Sequence, residues 1–305
     1  MNETELPEEE ALQPDIVRAF FKEHAAEIPV ADALRETKLV TVGSQQLNLV
    51  IVRPRGSENQ VLPIILFLHG GGWFMGGIET HGILVHELAN RTPAVVVHLE
   101  YSLSPEAKYP VALDETYATL SWIKENAASI GGDLNRLTVI GDSAGANLST
   151  SLCALEKEKD QNILIKSQVL LYPLIGTDFT VPSYLEYENN SYLPLRVVKW
   201  VWDLYLPKDA ETDRLAIPLL ATKEQLQGLP PALIITAEKD VLRDDGEQYG
   251  KQLQEAGVQT ITERYNGVRH GFLTDQQLSP KALAAIDQII QFVTKAWTKD
   301  RSSHL

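Results

Sequence analysis

The chain has 305 residues, enough to bury a large core as one big α/β domain or two small ones. It carries 27 Lys and Arg against 41 Asp and Glu, a net charge of −14, which argues against nucleic acid and anionic membrane surfaces as partners. A single cysteine, Cys153, excludes an intramolecular disulfide and a metal–thiolate cluster, and no apolar run is long enough to span a bilayer.

Residues 1–10 are acidic and lack the apolar segment of a signal peptide, so a cytoplasmic protein without a membrane partner is expected. Residues 15–33 place Ile16, Val17, Ala19, Phe20 and Phe21, then Ala25, Ala26 and Ile28, at helical spacing. Residues 39–42 and 47–52 read as a hairpin turning at Gly43-Ser44, and residues 53–60 as a polar loop. Residues 62–68, Leu-Pro-Ile-Ile-Leu-Phe-Leu, form the continuous apolar run of a strand buried on both faces. They lead into His69-Gly70-Gly71-Gly72-Trp73. A surface helix over about 79–91, a strand over 94–99, a loop over 100–106 and a helix over 111–128 follow. Past the Gly131-Gly132-Asp133 turn, residues 136–140 are a β-branched strand, and residues 146–157 a helix on which Cys153 suits a buried position. After a charged break at 156–161, residues 168–172 read as a strand closed by Pro173. Residues 177–218, rich in Tyr, Pro, Asn and Trp, interrupt the rhythm and read as an insertion with an aromatic helix over 195–206. The rhythm resumes with strand 232–237, helix 245–256, strand 259–265 and a closing helix over 280–297. Alternating helices and buried strands predict a mostly parallel sheet covered on both faces.

Between strand 136–140 and helix 146–157 stands Gly141-Asp142-Ser143-Ala144-Gly145, a G-x-S-x-G pattern in strand–turn–helix context. A sharp reversal there forces Ser143 into strained backbone angles, and larger neighbours at 141 and 145 would collide with the adjacent strand and helix. The reward is a hydroxyl exposed at a helix N-terminus. An ordinary turn capped by Ser143 fits the same five residues, so the rest of the chain must decide. A serine attacks only when a base takes its proton and a carboxylate supports that base. Such groups belong on loops at the carboxyl ends of strands. Strand 232–237 runs into Glu238-Lys239-Asp240, and strand 259–265 into Gly267-Val268-Arg269-His270-Gly271-Phe272, which gives the order Ser143, Asp240, His270. His24 and His304 lie near the ends, His81 and His86 on a predicted surface helix and His98 inside a strand, which leaves His69 and His270 on loops. Glu238, Asp244 and Asp245 are rival acids. Asp240 lies a few residues past its strand, whereas Asp244 reads as a helix N-cap and Asp245 as the helix start. Gly70 to Gly72 after a buried strand allow backbone N–H groups to turn inward on an oxyanion, with the N–H of Ala144 as a further donor. A flexible loop is the plain alternative. A phosphate loop is disfavoured, because neither G-x-x-x-x-G-K-S/T nor G-x-G-x-x-G occurs there.

Together these motifs resemble the hormone-sensitive-lipase-like carboxylesterases of the α/β-hydrolase fold. His69-Gly70-Gly71-Gly72-Trp73 matches the family's HGGG run, and Gly141-Asp142-Ser143-Ala144-Gly145-Ala146-Asn147 its GDSAGxN elbow. Tyr101 to Glu106 is similar to its YRLAPE loop, Asp240 to Asp244 to its DPLRD motif, and His270-Gly271-Phe272 to its HGF. Ser102, Ser104, Glu100 and Val241 depart from the usual residues in supporting loops. The resemblance implies an eight-stranded, mostly parallel sheet in a single domain over 1–305. It implies a helical cap from about 1–35 and 177–218. It implies Ser143, Asp240 and His270 as triad, Gly71, Gly72 and Ala144 as oxyanion donors, and His69 as a residue that orients the glycine loop. Trp73, Tyr192 and Trp200 are the candidate substrate-binding residues, and Tyr184 and Trp202 are further cap aromatics that either line the pocket or pack the core. The expected activity is hydrolysis of small-molecule esters with short-to-medium acyl chains through an acyl-enzyme, with no metal or cofactor. The same machinery suits an amide or formamide, and a ligand-binding protein on a dead hydrolase scaffold is disfavoured because all three triad candidates are present. An edge strand beside the closing helix suits a homodimer, as the family often shows.

Overall fold

A computed structural model describes residues 12–23, 33–160 and 163–299. The run Leu62–Leu68 forms β3, and all seven of its residues are buried. Each large apolar side chain removed from water contributes about 1.5–3 kcal/mol, so this strand belongs at the centre of the sheet. Around it stand β1 (Ala33–Val42), β2 (Gln45–Pro54), β4 (Val95–Glu100), β5 (Gly132–Asp142), β6 (Ile165–Leu171), β7 (Ala232–Lys239) and β8 (Thr260–Arg269). The order across the sheet is β1-β2-β4-β3-β5-β6-β7-β8. Only β2 runs against its neighbours, and β4 through β8 pair in parallel. This is the eight-stranded α/β-hydrolase architecture.

The helices are α1 (Pro14–Glu23), α2 (Ile78–Arg91), α3 (Val111–Asn126), α4 (Ala144–Lys159), α5 (Pro182–Glu186), α6 (Leu195–Tyr205), α7 (Lys223–Leu226), α8 (Arg243–Glu255) and α9 (Pro280–Lys299). On one face, Leu84, Val85 and Leu88 of α2 and Ile286, Ile289 and Val293 of α9 pack on Val96, Phe67 and Ile235. On the other, Leu120 and Ile123 of α3, Leu148 and Leu152 of α4 and Leu253 of α8 pack on Leu66, Val97 and Val139. Cys153 is buried in that second layer. Among the described residues no helix is long and apolar enough to cross a membrane.

Two differences from the sequence reading matter for the site. β1 begins six residues before the expected 39, because its whole length pairs with β2 although Arg35 to Lys38 carry no apolar signal. β8 continues past 265 to Arg269, which pairs with Lys239 across an irregularity that Gly267 accommodates at φ 74°. His270 therefore stands directly at a strand end. The predicted helix over 15–33 is described only as α1, and residues 24–32, His24 and His304, like the acidic residues 1–10, lie outside the described residues.

Candidate functional site

β5 ends at Asp142 and α4 begins at Ala144, so Ser143 alone makes the reversal, at φ 51° and ψ −116°. A non-glycine residue rarely adopts φ > 0 and does so only where its surroundings hold it. Here the Ser143 N–H donates to Leu171 O at 2.8 Å, and the Ser143 carbonyl accepts from the N–H groups of Ala146, Asn147 and Leu174 at 3.1, 3.2 and 3.1 Å. The flanking glycines answer to contact. A side chain at Gly145 would run into the Leu68 carbonyl, and one at Gly141 into the Gly145 carbonyl. Asn147 fixes the new helix from its far side, donating to Leu174 O at 3.0 Å and Ala216 O at 2.9 Å.

β7 and β8 bring the two partners to the same rim. His270 Nε2 lies 3.1 Å from Ser143 Oγ, and His270 Nδ1 lies 2.7 Å from Asp240 Oδ2. The second carboxylate oxygen of Asp240 accepts the Leu242 N–H at 3.0 Å, which fixes its rotation. Asp240 is 1% exposed and His270 8%, so the relay is screened from bulk water while Ser143 still faces a cavity. Nδ1–H donating to Asp240 leaves Nε2 free to accept the serine proton, the tautomer a general base requires.

The rival residues are engaged elsewhere. His69 is fully buried and stacked on Tyr101, ring centroids 4.0 Å apart, and its Nδ1 donates to Gly70 O at 2.7 Å. Burial, and after it the charge of His81, push its pKa down to about 3, so it stays neutral. Asp245 binds the Tyr184 hydroxyl at 2.8 Å, and burial pushes its carboxyl up to about 7. Asp244 does not cap α8, which starts at Arg243 after Leu242; its carboxylate accepts the Ser183 N–H at 2.9 Å and Arg243 Nε at 2.7 Å. The supporting loops close with their unusual residues: Glu115 accepts from the N–H and the hydroxyl of Ser102 at 2.7 and 2.6 Å, and Glu100 accepts the Ile78 N–H of α2 at 2.8 Å.

Gly71 and Gly72 have φ of 107° and 59°, line the cavity beside Ser143, and leave no room for a side chain: a Cβ on Gly72 would sit 2.7 Å from Val201 Cγ1. Ala144, first residue of α4, is fully buried behind Ser143. Two residues to which the sequence reading gave no role in the site secure this loop. Asp142 Oδ1 accepts the Gly70 N–H at 2.8 Å, and the His81 ring meets the same carboxylate at 3.2 Å. His81 and His86 are not surface residues: they are 6% and 1% exposed. His81 shares the inward i, i+3, i+4, i+7 face with Leu84, Val85 and Leu88. The spacing of residues 81, 84, 85 and 88 already marks that inward face in the sequence.

The cavity holds about 370 Å³. Tyr192 and Trp200 line it, with Val197, Val198 and Val201 of α6 and Val17 of α1. Trp73 does not. Its positive φ of 58° turns the ring beneath the loop, fully buried and stacked on Tyr205 at 3.9 Å. Tyr184 and Trp202 also pack inside, at 0% and 3% exposure. Arg18 ties α1 to the site's edge, donating to Phe74 O at 2.6 Å, Ser104 O at 2.7 Å and Glu106 at 2.8 Å. Among the described residues no three His, Cys, Asp or Glu side chains converge as metal ligands would.

A family model described as the alpha/beta hydrolase fold matches residues 65–274. The carboxylesterase NlhH of Mycobacterium tuberculosis is 37% identical over 251 residues, 80% of this chain and 78% of the relative. An arylesterase of Saccharolobus solfataricus is 30% identical over 285 residues, 92% and 90% of the two chains. A solved fungal esterase from Rhizomucor miehei superposes with a TM-score of 0.93 at 38% identity, covering 98% of this chain and 95% of that one.

Proposed function

This chain belongs to the α/β-hydrolase fold family, and from that premise we infer that it is a hormone-sensitive-lipase-like carboxylesterase, hydrolysing carboxylic esters through an acyl-enzyme. The observation that carries the reading is the unbroken chain Ser143 Oγ, His270, Asp240, with links of 3.1 and 2.7 Å. His270 takes the serine proton as Oγ attacks the ester carbonyl. Asp240 holds the ring and stabilises the imidazolium that forms. The N–H groups of Gly71, Gly72 and Ala144 bind the oxyanion of the tetrahedral intermediate, each worth about 3 kcal/mol of barrier in such sites. His270 returns the proton to the departing alcohol, and water then cleaves the acyl-enzyme by the same steps.

The cavity of about 370 Å³ supports short-to-medium acyl chains, and the passage of residues 192–201 along its wall supports a cap built from the insertion and α1. The terminal strand β8, with Ile261 47% exposed, supports a homodimer through that edge, which light scattering of the purified protein tests. Ser143→Ala is the test of the chemistry. The variant should keep its fold by circular dichroism and lose turnover of p-nitrophenyl acetate and labelling by a fluorophosphonate; retained turnover overturns the assignment. A matched ester and amide pair, with faster cleavage of the ester, separates this reading from an amide hydrolase.

A further inference from the structure

The two walls of the cavity differ in chemistry, and each is tied to one half of the machinery. The stretch 192–201 of the inserted segment runs along the cavity wall. At its first end Tyr192 lies across the His270 loop: a Cβ on Gly271 would sit 2.9 Å from the Tyr192 hydroxyl oxygen, and the Arg269 guanidinium stacks 3.7 Å from the Tyr192 ring centroid. At its other end Val201 meets Gly72, and Trp200 meets Phe74 edge-on at 4.8 Å. The wall on the His270 side is polar, made by Tyr192, Arg269, Thr274 and Asp275. The side made by α1 and α6 is apolar, with Val17, Phe74, Val198, Trp200 and Val201, while Glu79 and Thr80 at the start of α2 line the cavity as well.

The direction of the substrate follows from proton transfer. The leaving alcohol oxygen must receive its proton from His270 Nε2, so the alcohol half lies on the His270 side. The carbonyl oxygen points into the glycine loop, and the acyl chain takes the remaining direction, along the apolar wall. Arg269 Nη2 binds Asp275 Oδ1 at 2.6 Å and Arg269 Nη1 binds His270 O at 2.7 Å. The two side chains are 36% and 32% exposed, so both sit at the cavity mouth with donors and acceptors beyond those two bonds.

We propose that this site takes esters joining an apolar acyl chain to a hydroxyl-bearing alcohol, with the alcohol recognised by Arg269 and Asp275 and the acyl chain lodged against Val198 and Val201. The proposal rests on the carboxylesterase reading. Its test compares kcat/KM for glyceryl monobutyrate and propyl butyrate, which share the acyl group and differ by two hydroxyls. The wild-type enzyme should favour the glyceryl ester about tenfold, the size of one net hydrogen bond. Asp275→Leu should bring that ratio close to unity, and Val198→Trp should instead lower the ratio of hexanoate to acetate turnover. Ratios within one preparation do not depend on how much of a variant folds. A wild-type ratio at or below unity, an unchanged ratio in Asp275→Leu, or an alcohol preference abolished by Val198→Trp overturns the proposal and leaves the esterase reading intact. Absence of turnover of both esters by the wild-type enzyme overturns the two together.

Discussion

The ring of His81 stands 3.2 Å from the carboxylate of Asp142, and this buried pair joins the Ser143 turn to the glycine loop through the Gly70 N–H, 2.8 Å from Asp142 Oδ1. Burial works against the charge of both groups. Their mutual attraction and hydrogen bond overcome it, raising the pKa of His81 and lowering that of Asp142. The pair aims the Gly70 amide without itself touching a reacting atom.

Breaking that pair should slow chemistry more than it weakens binding. His81→Gln, which keeps a donor but no charge, should lower kcat by about tenfold with KM nearly unchanged, and His81→Leu by about a hundredfold, approaching the loss of an oxyanion donor. Steady-state kinetics on a chromogenic ester checks this; an equal loss in both variants would make the contact one of packing alone. The pair's contribution to stability has two limits. The contribution of His81, whose pKa is raised, is present below its ordinary value near 6.5 and lost as pH rises through its folded value. The contribution of Asp142, whose pKa is lowered, is present above about 3.8 and lost as pH falls through its folded value.

Asp240→Asn should cut kcat by about 10³–10⁴-fold while the protein stays folded, because an amide at 240 stabilises the wrong tautomer of His270. Full activity in this variant would pass the acid's role to another carboxylate, and Asp245, held by Tyr184, is not placed to take it.

Gly145→Ala should destabilise the fold by about 3 kcal/mol or more, since the added methyl meets the Leu68 backbone where nothing flexible gives way. Gly72→Ala meets Val201, a side chain, and also strains φ at 59°. It should cost less stability and more activity. Urea unfolding and kcat measured on both variants separate the two effects.

Acid should weaken the fold early. Burial holds His69 and His98 neutral in the native state, His69 down to about 3 and His98 well below 6.5, while the unfolded chain protonates both near 6.5. The unfolded state therefore binds more protons below 6.5, and stability falls as pH drops, by up to about 1.4 kcal/mol per pH unit for each group. His98 stacks on Phe67 and His69 at 5.8 and 5.5 Å, and neither of its ring nitrogens has a hydrogen-bond partner among the described residues, the Glu100 carboxylate standing 3.7 Å from Nδ1. His98→Phe should flatten the acid slope of urea midpoints between pH 7 and pH 5; an unchanged slope would count against a neutral, buried ring.

Chain order and local pattern carried much of this protein. The apolar run at 62–68 put a strand at the sheet's centre, the glycines at 141 and 145 marked a turn that only small residues tolerate, and Ser143, Asp240 and His270 each stood where a strand ends. These features are local, because strand burial, turn sterics and residue type are written within a few positions. What faces what across the site is not local. Trp73 was expected at the substrate and turns into the core; His81 was expected at the surface and pairs with Asp142, 61 residues away. Tyr192 and Trp200 reach the cavity while Tyr184 and Trp202 do not, because the path of the inserted segment over the sheet decides which ring each turn presents. Only packing of distant segments sets that path, so the places of Ser143, Asp240 and His270 at strand ends were legible from the chain while the shape and polarity of the space above them depended on the fold.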